Sequence, residues 1–183
     1  MRLNLKYIPS ALLAGPPAIV IAGSLPAAAA VYLTVEEAQK AIFPGAAMTA
    51  VDVTLTKEQK AGIEKSSGVK VREPKLSMWR ASNGGSLYVD EVLGKHEYIT
   101  FAIGIDEKGA VTGLEILEYR ESYGGEIRNA DWRAQFRGKT AADKLVLDED
   151  VKNVSGATLS CRHVADGVRR ILATDAVLRR ARR

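Results

Sequence analysis

Hydrophobic and polar residues alternate through the middle of the chain with a period of two, which is the pattern of half-buried β-strands. Strands are predicted at residues 69–72, 76–81, 86–93, 97–105 and 110–119, with an earlier strand at 48–56. The apolar face of segment 97–105 consists of Ile99, Phe101, Ile103 and Ile105. An Asn-Gly-Gly turn at 83–85 and a Glu-Lys-Gly turn at 107–109 are typical of hairpins. Because such short connections cannot cross over to a parallel strand, an antiparallel meander is predicted.

Helical segments are predicted on both sides of this β-region. Thr34 and Glu37 form a capping box that predicts a helix ending near residue 43. Thr56 and Gln59 form a second one, for a helix that ends near residue 66. One or two helical turns are expected at 130–136. A last helix at 161–179 has an apolar face of Val164, Val168, Ile171 and Leu172, with Asp166, Arg169, Arg170 and Thr174 mostly on other faces. The predicted fold class is α+β, an antiparallel β-sheet with flanking helices.

The first thirty residues have the pattern of a signal peptide. Arg2 and Lys6 precede an apolar stretch at 11–25, and the alanines at 28–30 offer a cleavage site. We therefore expect a signal peptide at 1–30 and one domain at 31–183, located in the periplasm or on the extracytoplasmic face of the inner membrane. An uncleaved N-terminal anchor is the alternative.

The 183-residue chain has a net charge of +4, and its basic character is concentrated at the C-terminal end. From Arg169 onward there are six arginines against Asp175, whereas the rest of the domain after residue 30 is net acidic. A basic tail of this kind does not indicate a nucleic-acid-binding surface. Cations are favourable at a helix C-terminus in their own right. Contact with an acidic partner or an anionic membrane surface is the alternative interpretation.

The chain has no pattern for a catalytic or metal centre. His96 and His163 are too few and too far apart for a metal site, and the sequence lacks a Gly-x-Ser-x-Gly elbow and a dinucleotide fingerprint. Cys161 is the single cysteine, so it forms no internal disulfide, and we interpret it as a packing residue.

Residues 154–160, Val-Ser-Gly-Ala-Thr-Leu-Ser, form the most informative segment. They precede the last predicted helix, whose first turn leaves unpaired N–H groups and a partial positive charge that favour a phosphate. Candidate phosphate-binding groups are the backbone N–H groups of Gly156, Ala157, Thr158 and Leu159 and the hydroxyls of Ser155 and Ser160. Ordinary helix capping is the alternative interpretation.

A second segment lies upstream of this motif. Residues 121–127 read Glu-Ser-Tyr-Gly-Gly-Glu-Ile, and Trp132, Phe136, Gly138 and Lys139 follow. Together the two segments resemble the FMN-binding domain family, which includes the G subunit of Rnf complexes and the C subunit of sodium-translocating NADH:quinone reductase. In that family the threonine equivalent to Thr158 carries FMN through a phosphoester bond.

The resemblance implies an α+β fold, FMN as cofactor and a flavin transferase as the partner that attaches it to Thr158. It also implies that the loop from Glu121 to Glu126 covers part of the flavin, with Glu121 and Ser122 at the positions of the family's glutamate and threonine. The expected function is electron transfer between a membrane-bound donor and an extracytoplasmic acceptor, as an electron carrier or redox-complex subunit rather than a stand-alone enzyme. The flavin supplies the redox chemistry, and the protein supplies orientation and electrostatics.

Three positions depart from the family pattern. Lys152 stands where the family usually has the aspartate that the transferase reads, with Asp150 two residues earlier. Tyr123 and Gly125 replace a proline and a leucine of the upstream loop. These changes keep two alternatives open: a non-redox accessory or binding module of the same fold without covalent flavin, and a flavin-dependent reductase of a small substrate.

Overall fold

The alternating segments pair into an antiparallel sheet in the computed structural model, which describes residues 30–121 and 124–182. Within these residues the strands are β1 (Ala30–Val31), β2 (Met48–Thr54), β3 (Lys75–Ala81), β4 (Ser86–Leu93), β5 (Tyr98–Ile105) and β6 (Val111–Tyr119). Their order in the sheet is β1-β6-β5-β4-β3-β2, and all neighbours are antiparallel. The predicted meander is confirmed. Most of the predicted signal peptide, residues 1–29, lies outside the described residues, and its cleavage stays a prediction.

Four α-helices and one short 3₁₀ helix flank the sheet in the described part of the chain. They are α1 (Val35–Ile42), α2 (Lys57–Ser67), the 3₁₀ helix Gly125–Arg128, α3 (Ala130–Ala134) and α4 (Thr158–Arg180). Both predicted capping boxes are present: Thr34 and Thr56 each accept the N3 backbone N–H, and Glu37 and Gln59 accept the N-cap N–H in return. The α+β fold class is confirmed.

Each face of the sheet is covered by helices. Helix α4 packs on one face, against a core cluster that includes Ile99, Phe101, Ile103 and Ile105, as the alternation predicts. Helix α1 packs on the other face, where Ile42 and Phe43 join a smaller cluster. The sheet is buried on both sides, and β4 to β6 are accordingly mostly apolar on both faces.

The strand predicted at 69–72 is wrong. These residues connect α2 to β3, and Val71 is buried without joining a β-ladder. The backbone N–H of Val71 donates instead to Glu64 Oε1 of α2 (2.9 Å), while Leu55 N donates to the carbonyl of Pro74 (2.9 Å). The apolar residue at 71 is therefore explained by packing in a connection, with side-chain and loop hydrogen bonds in place of strand pairing.

The last helix differs from its prediction in two respects. It begins at Thr158, three residues earlier than expected, so the motif threonine is part of the first turn. The expectation that Arg170 and Thr174 lie mostly away from the core is also wrong, since both are buried, as is Asp175. The physical reason is that α4 packs against both the sheet and α2, so more than one of its faces is enclosed.

Buried charges on α4 are paired across the fold. Arg170 donates through Nη2 and Nε to Asp90 Oδ2 of β4 (2.6 and 3.2 Å). Asp175 accepts from the Tyr88 hydroxyl (2.8 Å) and from Arg179. Part of the arginine cluster therefore has a packing role, which the charge pattern did not reveal. None of the helices in the described ranges has the length and apolar character that crossing a membrane requires.

Candidate functional site

A cavity of about 660 Å³ opens at the N-terminus of α4. Its lining residues come from three separate segments, and they are Lys95, His96, Glu121, Gly124, Glu126, Gly156, Ala157, Thr158, Leu159 and Ser160. We call it the Thr158 cavity. Its volume falls within the range of roughly 300–1,000 Å³ that small-molecule sites occupy. The fold thus brings the two motif segments together, and it adds the turn between β4 and β5.

The first turn of α4 is the most favourable anion site among the helix starts described. Helices α1, α2 and α3 each begin with a polar capping side chain and an acidic residue in the first turn. The N-cap of α4 is Ala157, which has no capping side chain, and its first turn contains no acidic residue. The N–H groups of this turn and the positive end of the helix dipole are therefore available to a ligand in the cavity.

The motif residues have different environments around this turn. Thr158 is half-buried and lines the cavity, and Leu159 lines it as an exposed side chain. Ser160 is buried, with its Oγ 3.2 Å from the hydroxyl of Tyr119 on β6. Ser155 is exposed and does not line the cavity, so its predicted role as a phosphate donor has no support from its position.

The upstream loop meets the motif directly. Gly124 is buried, has a φ of +88° and packs against Ala157 at the helix entry. The 3₁₀ helix that follows places Glu126 on the cavity wall. Ser122, predicted to cover the flavin, lies outside the described residues.

Glu121 lines the cavity and also organises the turn opposite. Its Oε1 accepts the backbone N–H groups of His96 (2.6 Å) and Glu97 (3.0 Å). Burial raises the pKa of this carboxyl, but the N–H groups of Glu97, His96 and Lys95 outweigh that effect and bring the pKa below its usual value. The carboxylate is thus ionised and held by the β4–β5 turn.

His163 reaches the same turn from α4. Its Nδ1 is hydrogen-bonded to the carbonyl oxygen of Leu93, so the Nδ1–H is the donor. Among the described residues there is no group of three or more His, Cys, Asp or Glu side chains that could hold a metal ion.

The backbone of Lys152, which lies just before the motif, is held by residues that do not line the Thr158 cavity. Trp132 is buried, packs edge-on against Phe136 with ring centroids 5.2 Å apart, and donates from Nε1 to the carbonyl of Lys152 (2.8 Å). Since Trp132 does not line the Thr158 cavity, its role in this structure is packing. The backbone of Lys152 is anchored, whereas the residue as a whole is exposed.

Asp150 is already engaged by its own loop. Its carboxylate accepts the N–H groups of Val146 (2.7 Å) and Leu145 (3.0 Å) and lies 3.4 Å from Lys139 Nζ. Burial raises its pKa, but these N–H groups and then Lys139 outweigh that effect and lower it. Asp150 therefore has a structural role, and it does not offer a free carboxylate in place of the aspartate that the resemblance places at position 152.

Sequence reasoning missed Lys95 and His96. A signal was present, because an antiparallel meander places the turn after β4 beside the end of β6. Ile99 pairs with Tyr119, which brings residues 94–97 next to Glu121. No motif marks these two side chains, and only the pairing register shows that they face the helix entry.

Comparison with known proteins agrees with this geometry. Residues 94–173 match the sequence model of the FMN-binding domain. The match begins at the β4–β5 turn, ends within α4 and includes every residue that lines the Thr158 cavity. No match to this chain was found among curated proteins.

Proposed function

Residues 94–173 form a domain of the FMN-binding family, so this is a flavin-binding protein with FMN as its cofactor, and we propose that it is an exported electron carrier with FMN attached to Thr158. The bond is a phosphoester between the threonine Oγ1 and the FMN phosphate. In the net reaction the hydroxyl loses its proton, an oxygen–phosphorus bond forms, and the phosphoanhydride bond of a flavin dinucleotide donor breaks, so that the donor's nucleoside monophosphate leaves. The chain gains one FMN less one water.

The observation that carries this proposal is the position of Thr158 in the first turn of α4 and on the cavity wall. A phosphate attached there meets N–H groups that no helical carbonyl uses, in a first turn that contains no acidic residue. The cavity has space beside this turn for the remainder of the cofactor. The residues present therefore fit FMN.

The surrounding residues hold the attachment point in place. The buried pair of Ser160 and Tyr119 joins the first turn of α4 to the end of β6. Glu121 and Glu126 add negative charge to the cavity wall. Among the described lining residues, Lys95 is the one permanent cation. A free FMN dianion is therefore bound less favourably than a phosphoester with one charge fewer, and the covalent bond retains the cofactor. Bound FMN supplies the redox chemistry.

Export is supported by the sequence. The basic, apolar and small-residue pattern of residues 1–30 supports secretion across the inner membrane, where little free flavin is expected and covalent retention is useful. The proposed partners are a flavin transferase, a membrane-bound redox donor and an extracytoplasmic acceptor. The exposed arginines at the end of α4 offer a contact with an anionic membrane surface or an acidic partner.

One observation favours a second candidate, a flavin-binding module without the covalent bond. Lys152 replaces the expected aspartate in an exposed position, and Asp150 is engaged by its own loop. A transferase that requires a carboxylate at 152 will not modify Thr158, and FMN is then held by the cavity alone.

The deciding experiment is the intact mass of the denatured protein after export in a host that makes a flavin transferase. We expect a gain of one FMN less one water in the wild type and no gain in Thr158→Ala. Ser155→Ala is the matched control, because it removes a neighbouring hydroxyl that does not line the cavity, and it should keep the full gain. Yellow native protein without the mass gain supports the second candidate. Modification that persists in Thr158→Ala contradicts the proposed site.

A further inference from the structure

The turn between β4 and β5 is tethered by one residue of the upstream motif segment and by one residue of α4. From the upstream loop, Glu121 Oε1 accepts the N–H groups of His96 and Glu97. From α4, His163 donates to the carbonyl of Leu93, at the last residue of β4. The turn also closes on itself, as Gly94 N donates to the carbonyl of Glu97 (2.7 Å). Residues 93–97 are therefore held from two sides by elements that build the rest of the Thr158 cavity.

The fit between this turn and Glu121 leaves no room for a side chain at position 94. A Cβ on Gly94 would lie 2.6 Å from Glu121 Oε1 and 3.2 Å from its Cγ. Both distances are too short for an ordinary contact. The carboxylate and the turn backbone are thus packed together as well as hydrogen-bonded.

The turn supplies Lys95 and His96 to the cavity lining. Both residues are exposed. The positions of their side chains relative to the cavity therefore depend on the position of the turn backbone. A short exposed turn at the end of a hairpin belongs to the least stable part of a fold unless other elements hold it. Here the holding groups are Glu121 and His163.

We propose that the turn at residues 94–97 is the third wall of the flavin pocket and that Glu121 and His163 are positioning residues which hold it against the cofactor. This inference rests on the proposed function. Glu121 then acts on the flavin through the turn, since its Oε1 is used by backbone N–H groups. Releasing the turn exposes the flavin to solvent and leaves Thr158, the attachment point, in place.

The test combines two measurements on Glu121→Ala. The first is hydrogen exchange of the amides of His96 and Glu97 in flavin-free protein, which we expect to accelerate about tenfold to a hundredfold because each amide loses a charged acceptor. The second is iodide quenching of the fluorescence of bound flavin, after removal of free FMN, which we expect to increase about twofold or more. Quenching is expressed per bound flavin, and the intact mass of each variant gives its flavin content.

Matched controls are available in the same sheet. Asp106 Oδ1 accepts the N–H groups of Lys108 (2.8 Å) and Ala110 (2.9 Å) in the next hairpin turn, and Asp106 does not line the Thr158 cavity. Asp106→Ala should accelerate exchange in its own turn without changing flavin quenching. Glu121→Gln keeps an acceptor oxygen and should restore most of the protection. His163→Ala, which frees the turn from its other side, should increase quenching in the same direction as Glu121→Ala.

The outcomes separate this inference from the proposed function. Faster exchange in the turn with unchanged flavin quenching overturns the third-wall assignment while the flavin-binding function stands. Quenching that increases equally in Asp106→Ala also overturns it, because the effect would then follow from general loosening of the sheet. A wild-type protein that takes up no flavin in any form overturns the proposed function and this inference with it.

Discussion

Gly124 of the upstream loop contacts Ala157 at the start of α4, where the two motif segments meet. On the loop side, this contact has room only for glycine. A Cβ on Gly124 would lie 3.1 Å from Ala157 Cβ and 2.7 Å from the Tyr119 hydroxyl. The loop backbone approaches the entry of α4 this closely because Gly124 has a φ of +88°, which L side chains rarely adopt. The shape of the Thr158 cavity therefore depends on the absence of a methyl group.

Gly124→Ala is expected to destabilise the protein by about 3 kcal/mol and to lower its flavin content. The left-handed conformation costs about 1–2 kcal/mol for a residue with a Cβ, and the steric overlap adds about 1–3 kcal/mol. Urea denaturation and the flavin-to-protein absorbance ratio measure the two effects. Gly138→Ala is the control, since Gly138 has a similar φ of +77° and open space around it. Equal losses in both variants would show that the contact with Ala157 is unimportant.

Arg170→Leu is expected to cost about 3 kcal/mol of folding free energy. The substitution leaves Asp90, which is three-quarters buried, without the guanidinium that lies 2.6 Å away, and a broken buried pair costs about 3–5 kcal/mol. The double variant with Asp90→Leu should recover part of that loss. For comparison, the exposed pair of Lys75 and Asp52 should contribute less than about 1 kcal/mol. Denaturation midpoints of the single and double variants provide the test, and an additive cycle would argue against coupling.

Asp150→Asn is expected to be less stable than the wild type at pH 7, by an amount that shrinks in acid. The pKa of Asp150 is lowered in the folded protein, so its contribution is present above the unfolded pKa, near 3.9, and is lost as the pH falls through the folded pKa. Urea midpoints of both proteins between pH 7 and pH 2 should converge below about pH 4. Asp52→Asn removes an exposed carboxylate and should change stability little at pH 7. A constant difference across the pH range would contradict the assigned hydrogen bonds.

Cys161 is expected to resist alkylation in the folded protein. The residue is fully buried beneath the first turn of α4, and burial raises the pKa of its thiol, so little thiolate is present or accessible. Iodoacetamide at pH 8 followed by intact mass should show modification only after denaturation. Ser155→Cys places a thiol at an exposed position of the same motif and should react in the native state, which confirms that the reagent is active. Rapid native modification of Cys161 would falsify its assignment as a packing residue.

Local patterns in the sequence were sufficient for most of the secondary structure and for the two motif segments. The capping boxes of α1 and α2 join residues three apart, and strand alternation reports which residues face a core, so both are visible without a tertiary structure. The family match to residues 94–173 confirms FMN as the cofactor that the motifs indicated. The roles predicted for individual site residues stay predictions.

The tertiary structure decided how these segments meet. Whether Val71 belongs to a strand or a buried connection depends on hydrogen-bond partners elsewhere in the chain, and periodicity does not report partners. Glu121 meets its turn 25 residues away, and Arg170 meets Asp90 80 residues away, so neither interaction has a local signature. The third segment of the cavity wall, the β4–β5 turn, is also brought to its place by residues that are distant in sequence. Lys95 and His96 line the same cavity as Thr158 only because the β5–β6 register and the packing of α4 bring the end of a hairpin to the start of a helix.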